Sequence, residues 1–290
     1  MLAQLAGWHL HGPPSLSRLL RRLRISFQQG RAHVYSPDLN YQPKRQEVQT
    51  RELAAHLAAL EAGWDDWRPP AVLHVPRRQV TLLQDELTYY RQPTLARAYA
   101  PQGRDVSGQA HPPLAALSYQ ANTVTRVAAT LDVISGQVVW RQHSRIGVAE
   151  LVALYQDVRT AYPDAERIWV IQDNWPVHWH ADLLAALEPQ ETRWPPRRPP
   201  DWSDQPSRDA QRQWGHLQLP IQLVFLPTYA SWLNPIEKLW RWLKQAILHL
   251  HRLADDLPTL RAQVAAFLNR FIPGSIDSAA LLRYVGLLPI

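Results

Sequence analysis

The sequence predicts an α/β fold, a mixed sheet flanked by helices, from the order of its periodic segments and the turns between them. Three strand-like runs come first: VTLLQDELTYY, TRVAATLDVI and GQVVWRQH, the last two joined through Ser135-Gly136 as a hairpin. A helical run near 147–162 follows, then the strand ERIWVIQD ending at Asp173 and a helix from about 176 to 187. IQLVFLP adds one more strand, and helices near 235–251 and 257–271 close the pattern. The order βββαβαβα is that of a mixed sheet covered by helices.

Upstream, Pro13-Pro14 breaks the chain and Ser15 offers an N-cap for a short helix. Leu16, Leu19, Leu20 and Leu23 share one of its faces, while Arg18, Arg21, Arg22 and Arg24 lie elsewhere. Residues 12–45 hold seven Lys/Arg and one acid, Asp38, and are the most basic part of the chain. Residues 28–43 read as an extended linker, and a helix with Val48, Leu53, Leu57 and Leu60 at helical spacing follows. The expected organisation is therefore a segment 1–27, a linker and helix 28–70, a sheet domain 71–275 and a tail 276–290. Residues 188–220 interrupt the sheet domain. From Pro189 to Pro220 there are seven prolines, three tryptophans, and five arginines that nearly balance four acids, and so long a stretch reads as an insertion.

Composition narrows the chemistry. Of 290 residues, 46% are hydrophobic and 19% charged, which excludes disordered and fibrous classes. The absence of cysteine removes disulfides, thiolate zinc sites and cysteine nucleophiles. No uncharged apolar run reaches the roughly 18 residues of a membrane helix, and the N-terminus lacks a signal-peptide pattern, so a cytoplasmic location is expected. The net charge of +6 favours polyanionic partners only mildly.

Three acids stand out. Asp85 lies mid-strand and by alternation shares a face with Leu83 and Leu87, where a core residue is expected. A carboxylate there is paired, bound to a metal, or on a solvated edge. Asp173 closes a strand at the carboxyl end, where open α/β sheets bind ligands, but a turn or helix-capping aspartate fits as well. Glu237 falls at N3 of a helix that Asn234 would cap and Pro235 would open, so a capping box explains it without chemistry. On the same helix Lys238, Arg241 and Lys244 form a basic row that suits either a phosphate backbone or solvent. Taken together, three carboxylates that converge at one sheet edge require a cation. Mg²⁺ supplies it, and two ions roughly 4 Å apart serve phosphoryl displacement.

The segments LLQDELTYYRQP, WVIQDNWPVH and LPTYASWLNPIEKLWRWLK resemble the motifs of the bacterial insertion-sequence branch of the mariner-like DDE transposases. The resemblance runs from about residue 78 to 270. It implies an RNase-H-like catalytic domain that cuts transposon ends and joins them to target DNA. It further implies Asp85, Asp173 and Glu237 as metal-binding catalytic triad, with Asn174 and His178 beside the second acid. The implied cofactor is Mg²⁺ or Mn²⁺, as two ions. The implied partners are double-stranded DNA, both terminal inverted repeats and target, bound by a homodimer. Residues 1–27 resemble the last portion of the family's helix-turn-helix region, with Arg18, Arg21, Arg22 and Arg24 as DNA contacts. The interval from Asp173 to Glu237 is longer than is usual in the family, and the 188–220 insertion accounts for it.

Two other readings compete. His178-Trp179-His180 has the His-hydrophobic-His pattern of tyrosine-using nucleases, but His9-Leu10-His11 and His249-Leu250-His251 share it, so the pattern discriminates little. A non-catalytic remnant that binds DNA and represses transposition would keep the basic segment without needing the acids.

Overall fold

A computed structural model describes residue 22 and residues 35–61, 78–98 and 112–288 of the chain. The expected 1–27 segment lies outside the described residues except for Arg22, which is helical and exposed. The described residues from Ser36 onward belong to one compact unit, Ser36–Ile290.

Five strands form one mixed sheet: β1 (Gln79–Tyr90), β2 (Val124–Asp132), β3 (Val138–His143), β4 (Arg167–Gln172) and β5 (Ile221–Phe225). Their order is β3-β2-β1-β4-β5. The β1-β2-β3 meander is antiparallel, and β4 and β5 join β1 in parallel. Every strand expected from the sequence is present. The β2–β3 turn is built by its own residues. Asp132 accepts hydrogen bonds from the Ile134 and Ser135 amides, and Gly136 takes φ +67°, where an added Cβ would meet the Ser278 carbonyl at 2.6 Å.

Alternation along β1 divides the interior in two. Leu83, Leu87 and Tyr89 join one core with Trp169, Ile171 and the C-terminal helices. Val80 and Leu82 join the other, with Leu151, Leu154, Tyr155 and Val158 of α2 (Val148–Ala161). β1 is thus buried on both faces, so polar side chains within it must find partners.

The helices depart from expectation in four places. Helix α1 (Tyr41–Glu61) forms and Val48 of its expected apolar face is buried, but Leu53, Leu57 and Leu60 are each more than half exposed, and Ala59 and the paired Lys44 face inward instead. The helix expected over 176–187 is a 3-10 turn (Pro176–Trp179) and a single α turn, α3 (Ala181–Leu184). His180 is extended between them, its ring accepting from the Asp182 amide. The helix expected over 235–251 is α-helical only as α5 (Ile236–Leu243). A π turn (Lys244–Leu248) ends it, with Leu250 at φ +50°. Beyond α6 (Leu257–Leu268), the expected tail contains α7 (Ile276–Val285), capped by the Ser275 hydroxyl and ended by a left-handed Gly286.

The 188–220 insertion is folded and includes α4 (Arg208–Trp214). Its first residues seal the free edge of β5. The Gln190 amide donates to the Ile221 carbonyl at 2.9 Å and accepts from the Leu223 amide at 2.8 Å. Gln222 answers in kind, donating to the Pro189 carbonyl and accepting from the Glu191 amide. Two glutamines thereby stand in for a sixth strand, which protects an edge open to pairing with other chains.

Candidate active site

The parallel ladder between β1 and β4 ends at Leu83↔Ile171. Extended by two residues, that register sets Asp173 against Asp85, on the face that carries Leu83 and Ile171. Asp85 is half-buried, and its carboxylate accepts a hydrogen bond from the Trp240 indole at 2.8 Å. Burial pushes its pKa up to about 8, with the charges of Glu237 and Glu86 adding to the effect. Asp173 lies just past β4, its side chain 54% exposed. Burial raises its pKa too, but hydrogen bonding and the charge of His178 outweigh that and hold it below the ordinary value.

Glu237 opens α5 with its side chain only partly exposed. Its pKa is raised by burial, then lowered by the charge of Lys244 and raised by that of Asp173. Glu237 therefore feels Asp173, and Asp85 feels Glu237. The β1–β4 register and the anchored start of α5 thus set the three acids named from the sequence at one end of the sheet, although their oxygens do not gather as tightly as those of Glu86, Asp173 and His178.

The capping box that offered the alternative explanation of Glu237 does not form. A 3-10 turn (Ser231–Leu233) runs into the helix, and the Asn234 amide is already bonded to the Ser231 carbonyl at 2.8 Å. No side-chain cap is present on α5. The Asn234 side chain turns to the sheet instead and donates from Nδ2 to the Gln84 carbonyl at 2.9 Å. β1 loses its β4 partner beyond Leu83, so a carbonyl on that edge needs another donor. Asn234 supplies it, and in doing so fixes the start of α5 beside Asp85.

Glu86, one residue on, faces the other core, and no local pattern in the sequence singles it out. His178 is fully buried there, with Nε2 3.1 Å from Glu86 Oε1 and Nδ1 3.1 Å from Asp173 Oδ1. Burial pulls its pKa down, but the two carboxylates win and raise it to about 10, which makes the ring a cation that donates to both. Below it, Gln84 donates to Glu86 and accepts from Tyr155, whose hydroxyl also reaches Gln172. The donor atoms of Glu86, Asp173 and His178 lie within 4.8 Å of one another, a spacing that suits metal ligands. Both ring nitrogens are engaged, however, so this trio reads as an ion-paired support beneath Asp173. Asn174 plays a framework part: its Nδ2 donates to the Leu226 carbonyl at 2.7 Å, tying the end of β4 to the end of β5.

The basic row divides. Arg241 and Lys244 are exposed and their charges act on Glu237. Lys238 donates to the Val285 carbonyl at 2.7 Å, at the C-terminus of α7. Arg18, Arg21 and Arg24 lie outside the described residues. The His178-Trp179-His180 pattern does not make a paired ligand set, because His178 bridges two carboxylates while His180 caps α3. The insertion docks by Arg198 on the Trp179 carbonyl, Trp202 on the His180 ring, and the Ser207 amide on Asp182.

The donor set fits a hard divalent cation. Asp85, Asp173 and Glu237 offer only carboxylate oxygens, and the side-chain partner of Asp85 is a neutral indole. Mutual repulsion of the acids is what a bound cation would relieve.

A family model described as DDE superfamily endonuclease matches residues 80–261, which include all three acids. The crystal structure of the Mos1 mariner paired end complex with Mn is similar at a TM-score of 0.52 and 16% identity, covering 100% of this chain and 70% of that one. The crystal structure of the Mos1 strand transfer complex has a TM-score of 0.48 and 14% identity, over 99% and 72% of the two chains. No curated protein matches the sequence. At these identities the structural likeness bears on the fold, and it bears out the RNase-H-like mixed sheet expected from the sequence. Among the described residues no helix is long and apolar enough to cross a membrane.

Proposed function

The chain belongs to the DDE superfamily of endonucleases, and from that membership we propose that it is a transposase that cuts DNA at transposon ends and joins them to target DNA. The observation that carries this reading is the placement of three carboxylates on separate elements, Asp85 set against Asp173 by the β1–β4 register and Glu237 at the start of the helix anchored to β1 beside Asp85. Asp85, Asp173 and Glu237 are the proposed catalytic triad and the ligands of Mg²⁺ or Mn²⁺. When bound, a pair of such ions stabilises the attacking and leaving oxygens of an in-line phosphoryl displacement.

The protein residues set up that chemistry. Asp85 is fixed by the Trp240 indole, Glu237 by the Asn234 tether to β1, and Asp173 by the His178 ring. A carboxylate held by a cationic ring stays ionised and keeps its rotamer, which suits a ligand that must be in place before metal arrives. Arg241 and Lys244, exposed beside Glu237, are proposed to meet the phosphate backbone and set the DNA's register without reading its sequence. The protein is proposed to act in the cytoplasm as a homodimer that pairs two transposon ends.

Nicking of duplex DNA in Mg²⁺ tests the reading. The parent protein is expected to nick, and chelation is expected to stop it. Asp173→Asn should lower the rate by about a hundredfold or more while its circular dichroism is unchanged. Undiminished nicking by that variant would remove Asp173 from the proposed site.

A further inference from the structure

The loop between β5 and α5 is tied down at three points. The Leu226 carbonyl accepts from Asn174, the Asn234 side chain is bonded to the Gln84 carbonyl, and Thr228 is gripped between them. The Thr228 amide donates to Asp38 Oδ2 at 3.0 Å, and the Thr228 carbonyl accepts from the Ser36 hydroxyl at 2.5 Å. Asp38 is itself ion-paired with Lys44 at 2.8 Å, both side chains less than a tenth exposed. Burying two charges is costly even when they are well paired, and this pair holds the backbone of one loop residue.

Between the tethers the loop presents its two largest side chains to solvent. Tyr229 is 74% exposed and Trp232 50% exposed. Tyr229 also sits at φ +57°, in the left-handed region that a bulky L-residue adopts only under constraint. Strain of this kind is kept where the surrounding structure imposes it, and such positions cluster at functional sites. Trp232 lies two residues before Asn234, whose side chain holds the carbonyl next to Asp85. Both aromatics thus belong to the loop whose far end is anchored next to Asp85, and Arg241 and Lys244 lie exposed on the helix that follows.

We propose that Tyr229 and Trp232 form a stacking platform for an unpaired nucleobase beside the DNA bond that is cut. The inference rests on the reading of the carboxylates as a DNA-cleaving site. A paired duplex shows a protein the edges of its bases, so the face of an exposed ring gains little from it. An unstacked base offers a π face, and aromatic rings combined with nearby basic side chains are how proteins hold single strands. Enzymes that act within a duplex commonly pay to unstack a nucleotide, and a rigid aromatic surface recovers part of that cost.

The experiment compares duplex DNA with the same duplex carrying a short unpaired bubble that contains 2-aminopurine, in chelator so that no cutting occurs. The parent is expected to bind the bubble about tenfold more tightly and to quench the 2-aminopurine fluorescence. Trp232→Ala and Tyr229→Gly should each lose most of that preference and quenching while binding paired duplex as the parent does. Glycine takes a positive φ freely, so Tyr229→Gly should melt at or above the parent temperature, which separates lost stacking from lost folding. Equal binding of both DNAs by the parent, or preference and quenching retained in both variants, would overturn the platform. Nicking in Mg²⁺ by the same preparations keeps the two readings apart. A parent that nicks without bubble preference overturns the platform alone, and one that prefers the bubble without nicking overturns the catalytic reading alone.

Discussion

Asp85 and Glu86 are neighbours in sequence that serve opposite faces of the same strand. Asp85 lies over the core that α5 covers, within reach of Trp240 and Glu237, while Glu86 reaches the buried ring of His178. Asp173 joins the two faces, because it ends a strand and is touched from one side by His178 and sensed from the other by Glu237. The position of Asp85 is legible from period-two alternation, which needs only its near neighbours. The partner of Glu86 is not, since 92 positions separate it from His178 and no local pattern encodes that contact. Glu237 is legible too, but the structural alternative its spacing suggests is wrong: the 3-10 turn before α5 uses the amide that a capping box requires. The missing cap changes what mutation should do. With no cap to lose, Glu237→Ala should forfeit only its interaction with the helix N-terminus, a few tenths of a kcal/mol rather than the roughly 1 kcal/mol of a lost cap. Glu237→Gln and Glu237→Ala are both expected to melt within a few degrees of the parent and to lose metal-dependent nicking almost completely. A thermal melt paired with the nicking assay checks this, and near-parental cutting by the glutamine variant would falsify Glu237 as a metal ligand.

At the scale of elements, the five strands are legible because each is bounded by turn residues and packed by its own alternating or continuous apolar side chains. Helices are less so. Helical spacing in α1 identifies an apolar face at Val48, Leu53, Leu57 and Leu60, yet spacing does not say how much of that face is covered, and only Val48 is buried while the three leucines are exposed. Helix α7 stands where a tail is expected, although Ser275 and Gly286 mark its two ends. The insertion shows in its prolines, but its role lies in contacts a sequence does not display. Its Gln190 side chain makes both bonds to the outer edge of β5, and Gln222 returns the pattern. Gln190→Leu keeps the volume and removes the bonding, leaving the Leu223 amide and the Ile221 carbonyl without those partners. The expected cost is about 1–3 kcal/mol in a urea melt, with a greater tendency to self-associate through the bared edge. An unchanged urea midpoint and an unchanged sedimentation profile would show that the insertion does not guard that edge.

For the molecule as a whole, the site is a concentration of like charge that folding must tolerate until a cation arrives. Asp85 carries the clearest mark of this, with a pKa raised by burial, by Glu237 and by Glu86 to about 8 from an ordinary 3.8. The folded protein then binds the Asp85 proton more tightly than the unfolded chain does. That contribution to stability is complete below about pH 4 and is lost as pH rises toward about 8, where Asp85 must ionise among other acids. Asp85→Asn removes the ionisation, and its side-chain carbonyl can still accept from the Trp240 indole. In chelator, the variant should therefore be the more stable protein, by an amount that grows across that window to on the order of 2 kcal/mol, or several degrees in melting temperature. Mg²⁺ should reverse the ranking. A ligand that binds only the folded state stabilises it by mass action, so the parent should gain melting temperature with rising Mg²⁺ while the variant, lacking one ligand, gains much less. The two proteins would then cross, with the active one less stable when empty and more stable when loaded. Melts of both proteins from pH 4 to 8, with chelator and with saturating Mg²⁺, measure the whole pattern. A parent that matches Asp85→Asn in chelator across the window and gains nothing from Mg²⁺ would show that Asp85 is neither crowded nor a metal ligand.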